Sequence, residues 1–168
     1  TMISKAKTHS GIHSMILSKN KEIKTFDDME PIEILKIGPA HWNLWRHKNG
    51  LAEVDLRNAN LRKFDLKEAN LTKVDLRGAI LNDADLRNAS LYRANLEGAE
   101  LMRADLSHAE LGKANLKDAW MQRVTMIDTN LWEADISGAC FDGAWIISSN
   151  LGKVNGRGVH FKEANLER

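Results

Sequence analysis

A single cysteine, Cys140, occurs in the 168 residues, so no internal disulfide can form and a reducing compartment is expected. Charge of one sign is lacking too: 24 Lys and Arg against 23 Asp and Glu leave a formal net charge of +1. That balance argues against a general nucleic-acid binder and against an acidic tail. No apolar run approaches the ~18 residues that span a bilayer. Near the N-terminus the longest such run is Met15-Ile16-Leu17, too short for a secretory signal. These absences predict a cytoplasmic protein with no membrane partner. With 43% hydrophobic and 28% charged residues, a wholly disordered chain is also excluded.

What the sequence has in abundance is repetition. From Leu51 to Leu151 every fifth residue is large and apolar; the series skips at Gly156 and resumes at Phe161 and Leu166. Two residues before most centres sits alanine, as at Ala59, Ala69, Ala79, Ala84 and Ala89, and the residue between is usually Asp or Asn (Asp55, Asn60, Asp65, Asn70). A period of five fits neither the 3.6 of a helix nor the 2 of a flat strand. On a helix the leucines would advance by ~140° per repeat and spiral around the cylinder. A coil with one short side per pentapeptide buries them instead, each side turning its centre and its alanine inward. Stacked coils then pair their backbones at roughly 4.8 Å per layer. Gly78, Gly98, Gly138 and Gly158 share one place in the repeat and are spaced by multiples of twenty, and Gly112 and Gly152 repeat this at another place. A four-sided, twenty-residue coil with glycine corners fits that spacing.

Runs such as Ala59-Asn60-Leu61-Arg62-Lys63 and Ala104-Asp105-Leu106-Ser107-His108 resemble the A(D/N)LXX signature of pentapeptide-repeat proteins. The resemblance covers residues 51–168 and implies an all-β solenoid, a right-handed quadrilateral β-helix of about six coils. At ~4.8 Å per coil that rod is about 29 Å long. Thr129 and Ser149 stand where alanine is usual and Gly156 leaves a core column empty, so the C-terminal coils are expected to be the looser ones.

Residues 1–50 lack the five-residue period and are read as an N-terminal extension and cap, with 1–27 irregular and flexible. Asp28 is expected to cap a short helix carrying Met29, Ile32 and Leu35 and ending at Gly38. Pro39 starts a second helix that places Trp42 and Trp45 on one face, and Asn49-Gly50 stops it. This element, with Trp42 and Trp45, is expected to close the open end of the solenoid, where backbone groups and core leucines would otherwise face water.

Candidate chemistry is sparse. The carboxylates Asp55, Asp65, Asp75, Asp85, Asp105 and Asp135 share one repeat position and read as a turn-bonding or solvated ladder; a convex rod gives them no catalytic cleft. His9 and His13 are four apart but no third metal ligand is evident. His108, His160 and Cys140 sit at outward places. No phosphate-loop, dinucleotide or serine-nucleophile signature occurs, so neither an enzyme nor a cofactor is expected. Outward positions up to Asn115 are mostly polar, whereas Trp120, Ile127, Trp132, Trp145 and Ile147 make the outward surface apolar further on. Contiguous apolar surface means a contact: with an unidentified protein partner, with a second copy, or with the chain's own N-terminal segment. The leading reading is a non-enzymatic protein-interaction scaffold. The alternative follows from the resemblance, since some family members mimic B-form DNA toward DNA gyrase or topoisomerase. That role requires dense negative charge, and residues 51–168 hold 16 basic and 18 acidic side chains, a net of about −2.

Overall fold

The computed structural model describes residues 28–50 and 53–167, together with the backbone of three short strands, β1 (Ile3–Ser4), β2 (Met15–Leu17) and β3 (Ile23–Lys24). These strands pair antiparallel in the order β1-β2-β3, which differs from the irregular backbone expected over 1–27; that stretch has no alternating pattern from which strands could be read. His9 and His13 lie outside the described residues.

From Val54 onward the backbone pairs in parallel with residues twenty further on. One column of bridges runs Asp55, Asp75, Asn95, Asn115, Asp135, Asn155 and a second runs Asn60, Ile80, Glu100, Trp120, Cys140, His160. A third runs Asp65, Asp85, Asp105, Thr125, Trp145, Asn165, and a fourth Asn70, Ser90, Glu110, Asn130, Asn150. Four pentapeptides therefore make one turn, and these columns are called here the first to fourth walls. Each centre's N–H donates to the layer below, as from Leu86 to the Asp105 carbonyl at 2.8 Å. Each bridging residue's N–H donates to the layer above, as from Asp85 to Phe64 at 3.0 Å. The centres and alanines fill the interior: Leu61, Leu66, Leu71, Ala69, Ala79 and Ala89 have no exposed surface.

The chain corners by β-turns. Ala59 N–H donates to the Leu56 carbonyl at 3.1 Å, and the residue two after the centre is left-handed in turn after turn: Asn58 (φ 56), Lys63 (φ 60), Glu68 (φ 57), Gly78 (φ 64). That is the pattern of a type II turn. Glycine therefore does not mark special corners, because lysine and glutamate adopt the same geometry. Gly112 and Gly152 belong to a different position with no left-handed φ. A Cβ on Gly112 would press on the Tyr92 ring at 3.3 Å, and one on Gly152 on the Trp132 indole at 3.1 Å. Their spacing of forty reflects room for two rings, not a corner.

Where Asp or Asn precedes a centre it has a defined task. Its Oδ1 accepts the N–H two residues on, as Asp55 does for Arg57 (3.0 Å), Asn70 for Thr72 (3.2 Å) and Asn130 for Trp132 (3.1 Å). This side-chain turn takes up a corner N–H. Glu100 cannot play that part, and there the Met102 N–H donates to Asn82 Oδ1 of the layer above at 2.8 Å.

On the third wall the turn opens. Residues Thr125–Ile127, Trp145–Ile147 and Asn165–Glu167 form strands β4, β5 and β6 of one parallel sheet. Ser149 Oγ sits between the two groups that elsewhere bond directly, accepting from Thr129 N–H at 3.1 Å and donating to the Met126 carbonyl at 2.8 Å. The Thr129 hydroxyl, in a residue 1% exposed, donates to the Leu106 carbonyl at 2.9 Å. These two departures from alanine are thus hydrogen-bonded parts of the wall, a correction to the reading that they loosen it.

Before the coils, α1 (Pro31–Ile37) and α2 (Pro39–Asn49) are separated by Gly38. The N-cap of α1 is Glu30, not Asp28. Pro31 disfavours helical φ/ψ in the residue before it, Glu30 is extended at φ −66, ψ 145, and its N–H donates to Glu33 Oε2 at 3.1 Å. From α2, Trp42 Nε1–H donates to the Asn70 carbonyl at 2.8 Å and Arg46 Nη2–H to the Thr72 carbonyl at 2.7 Å. Asn43 Oδ1 accepts from Asn70 N–H at 2.7 Å. One layer down, the equivalent groups of Ser90 bond to the backbone of Ala69 and Leu71, so α2 side chains make contacts that a further coil would make. Trp42 is fully buried, and Trp45 stacks on it with ring centroids 5.4 Å apart.

Ser149→Ala strands the Thr129 N–H and the Met126 carbonyl at once, and is expected to destabilise by about 1–3 kcal/mol in urea unfolding. A neutral substitution would mean that the turn closes without the hydroxyl.

Candidate interaction surface

Surface chemistry differs between the walls. On the first wall, arginines fold back on the carboxylates of their own repeat: Arg57 reaches Asp55 at 2.9 and 2.6 Å, and Arg77 reaches Asp75 at 2.9 and 2.7 Å. The upper third wall does the same, with Arg87 on Asp85 at 2.8 and 2.6 Å and Lys67 on Asp85 at 3.2 Å. The Arg87 hydrogen bonds hold the Asp85 carboxyl down to about 2, and those of Arg57 do the same for Asp55. Asp75 is lowered by Arg77, Asp83 by Arg103 and Asp135 by the Ser137 hydroxyl. These carboxylates are ionised structural acceptors, each engaged within the coil, and no proton-transfer pair is formed. Among the described residues no group of three or more His, Cys, Asp or Glu is placed to hold a metal ion. His108 is exposed, its Nδ1 3.7 Å from Asp128. Cys140 is half-buried in the second wall between Trp120 and His160.

The lower third wall is different. Where Asp85 and Arg87 stand above, β4 and β5 carry Ile127, Trp145 and Ile147, with Ile127 registered on Ile147 and Thr125 on Trp145. Trp145 is 57% exposed, and the two isoleucines are half-buried beside it. These three side chains share one wall. Trp120, 56% exposed, stands on the second wall instead, because it precedes the centre Met121 and the corner Gln122–Val124 intervenes. Trp132 lies on the fourth wall, half-buried, with Lys113 Nζ 5.3 Å and Lys153 Nζ 5.1 Å from its ring centre. The apolar surface expected from five residues therefore narrows to three. Spacing in fives fixes that a residue points outward; which of four directions it takes follows only once twenty is known to be the turn.

The family model for pentapeptide repeats matches eight copies within residues 51–87, 69–107, 79–118 and 109–144, more than half of the chain. The chain belongs to the pentapeptide-repeat family. Among solved structures it is similar to a pentapeptide repeat protein, Rfr23, from the cyanobacterium Cyanothece 51142. The two are 28% identical, with 74% of this chain and 97% of that chain covered and a TM-score of 0.57. It is similar also to alr5209, a pentapeptide repeat protein from Nostoc Pcc 7120, at 28% identity over 73% of this chain and 91% of that chain, TM-score 0.40. QnrB1, a plasmid-mediated fluoroquinolone resistance protein, matches at 22% identity over 65% and 58% of the two chains, TM-score 0.40. No curated protein matches the sequence. The family and the likeness to Rfr23 imply a right-handed quadrilateral β-helix, and proteins of this family are in general structural or interaction proteins rather than enzymes.

The depressed Asp85 carboxyl sets a pH dependence. A folded pKa of about 2 against an ordinary 3.8 contributes stability that is present above the unfolded value and lost as pH falls toward 2. Urea midpoints measured from pH 6 to pH 2 should therefore fall less steeply for Asp85→Asn than for the wild-type chain.

Proposed function

We propose that this protein is a non-enzymatic interaction scaffold and that the lower third wall, at Ile127, Trp145 and Ile147, receives a protein partner. The observation that carries this reading is the exchange of a charged ladder for an exposed indole between two isoleucines on one continuous sheet. A tryptophan over half exposed beside aliphatic neighbours is the composition of an interface centre. In this reading residues 51–168 form a rod of six coils, matching the six members of the first wall's column. Residues 1–50 form the extension whose α2 closes the upper end through Trp42, Trp45 and Arg46. A lone thiol fits the reducing cytoplasm, where we place the protein.

Affinity capture tests the proposal by comparing wild type, Trp145→Ala, Ile147→Lys and a first-wall control, Arg57→Gln. A species held by wild type and by the control, and lost by both third-wall variants at unchanged melting temperature, is the expected result. Gel filtration separates out self-association: a two-chain mass that Ile147→Lys reduces to one would put a second copy on the wall. Deleting residues 1–27 separates out self-coverage. The expected deletion melts nearly as wild type and still binds; a lowered melting temperature with new association would mean that the segment covers the wall.

Mimicry of DNA toward gyrase or topoisomerase is less well supported. The carboxylates that would stand for phosphates are bonded to Arg57, Arg77, Arg87 and Arg103, and a TM-score of 0.40 to QnrB1 carries no argument about shared partners. A supercoiling assay at micromolar protein is expected to show neither inhibition nor protection; a dose-dependent, salt-sensitive effect would reverse the ranking.

A further inference from the structure

We propose that the edge between the fourth and first walls, at Lys73 and Arg93, binds a compact phosphate group, a phosphomonoester or a diphosphate. The left-handed turn position of the fourth wall reads Lys73, Arg93, Lys113, Glu133, Lys153 down the rod, with Glu53 twenty residues before Lys73. Lys73, Arg93 and Lys113 form a run of three cations on successive layers, unlike any other column of the described walls. Like charges placed opposite one another on neighbouring strands destabilise, and several stacked cations are offset by acids, as Arg103 is by Asp83 at 2.7 Å and Lys113 by Glu133 at 3.3 Å. Lys73 and Arg93 have no such ion pair among the described residues. The backbone does not ask for them either: φ is 59 at Lys73 and 58 at Arg93, a conformation that Gly or Asn adopts at least cost.

The space in front of these cations supports a ligand. A surface depression of about 510 Å³ is lined by Lys73, Arg93, Arg77, Asn95, Glu53 and Asp75, with Val74 at its base. Of its acids, Asp75 is already taken by Arg77, and Glu53 marks the upper rim. Beside Arg93 the first wall carries Asn95, where the layers above it carry Asp55 and Asp75, so an amide stands there in place of a carboxylate. The guanidinium of Arg93 lies 5.4 Å from the Tyr92 ring, which limits its orientations. A flexible ammonium and a planar guanidinium lining one depression suit a tetrahedral dianion. Glu53 and Glu133 bound the cation run at both ends. Three layers span about 10 Å, room for one or two phosphoryl groups and too short a track for a nucleic-acid strand.

The test is a titration of the full chain by NMR with pyrophosphate, ADP and a phosphoserine peptide, repeated on Lys73→Asn with Arg93→Asn and on Lys153→Asn. Asparagine suits the left-handed turn, so both variants should fold, and melting temperature checks this. Pyrophosphate is expected to move the amides of Lys73, Arg93 and Asn95 first. The double variant should bind about tenfold more weakly, and Lys153→Asn should bind as wild type. Tighter binding of ADP or of the peptide assigns the source of the phosphate, and either result supports the site. Shifts spread evenly over all exposed cations, or no saturation in the millimolar range, would overturn it. A single-stranded oligonucleotide that binds more tightly than pyrophosphate and is weakened by Lys153→Asn would overturn it too, because it requires a longer basic track.

Discussion

The repeat region depends on one constraint: the backbone must corner every five residues while keeping its ladder bonds to layers twenty residues away. A ladder fixes the period of the coil, and a corner costs one N–H that the ladder cannot satisfy. Asp or Asn before the centre meets that cost with its own side chain, which is why the second place of the repeat is so restricted. Alanine two places before the centre fits inside the coil beside a leucine with no surface left over; Ala69, Ala79 and Ala89 are wholly buried. The A(D/N)LXX pattern thus states three separate requirements of a narrow square section: a small inward residue, a turn acceptor and a large inward residue. The remaining two places face solvent, and the second of them must accept a left-handed φ.

Much of this was legible in the sequence, because the large apolar centre recurs more than twenty times over and cannot be averaged away. Inward and outward places follow directly from the period of five. The glycines were a poorer guide than they looked. Left-handed turns recur with lysine and glutamate, so Gly78 and its column show only what one wall prefers, and Gly112 and Gly152 answer to the rings of Tyr92 and Trp132. Asp28 was misassigned as a cap because the effect of Pro31 on Glu30 outweighs a favourable cap residue two places earlier. The roles of Thr129 and Ser149 could not be read at all. Each looks like a lapse from alanine until two successive layers are superposed and the hydroxyl of one is seen to fall between the carbonyl and N–H of the other.

The candidate surface was half legible for a related reason. Outward position is a local property, but sharing a wall depends on sequence separation modulo twenty. Ile127 and Ile147 differ by twenty and are neighbours; Trp145 precedes the same centre as Ile147 follows and joins them. Trp120 and Trp132 are nearer in sequence to Ile127 and stand on other walls.

The walls also differ in how free they are to change. The first wall keeps Asp or Asn before every centre from Asp55 to Asn155, and with them the turn bond at Arg57, Arg77, Glu97, Lys117 and Ser137. On the other walls Asp or Asn is given up in places, and at some of these another group serves the corner N–H. Asn82 bonds to Met102 and Asp142 to Lys162, each from the layer above at 2.8 and 2.9 Å. On the third wall the chain straightens into β4 and β5 and a hydroxyl bridges the opened turn. The bridging places of these two walls include Trp120, Cys140 and Trp145, none of which offers a carboxylate or amide oxygen for the turn bond. Display of a large side chain beside the ladder therefore carries a structural cost that the first wall never incurs. On the third wall the Ser149 hydroxyl meets it for the opened turn of β4. The Thr129 hydroxyl adds a second donor to the Leu106 carbonyl, and beside them stand the isoleucines and the indole that form its apolar surface.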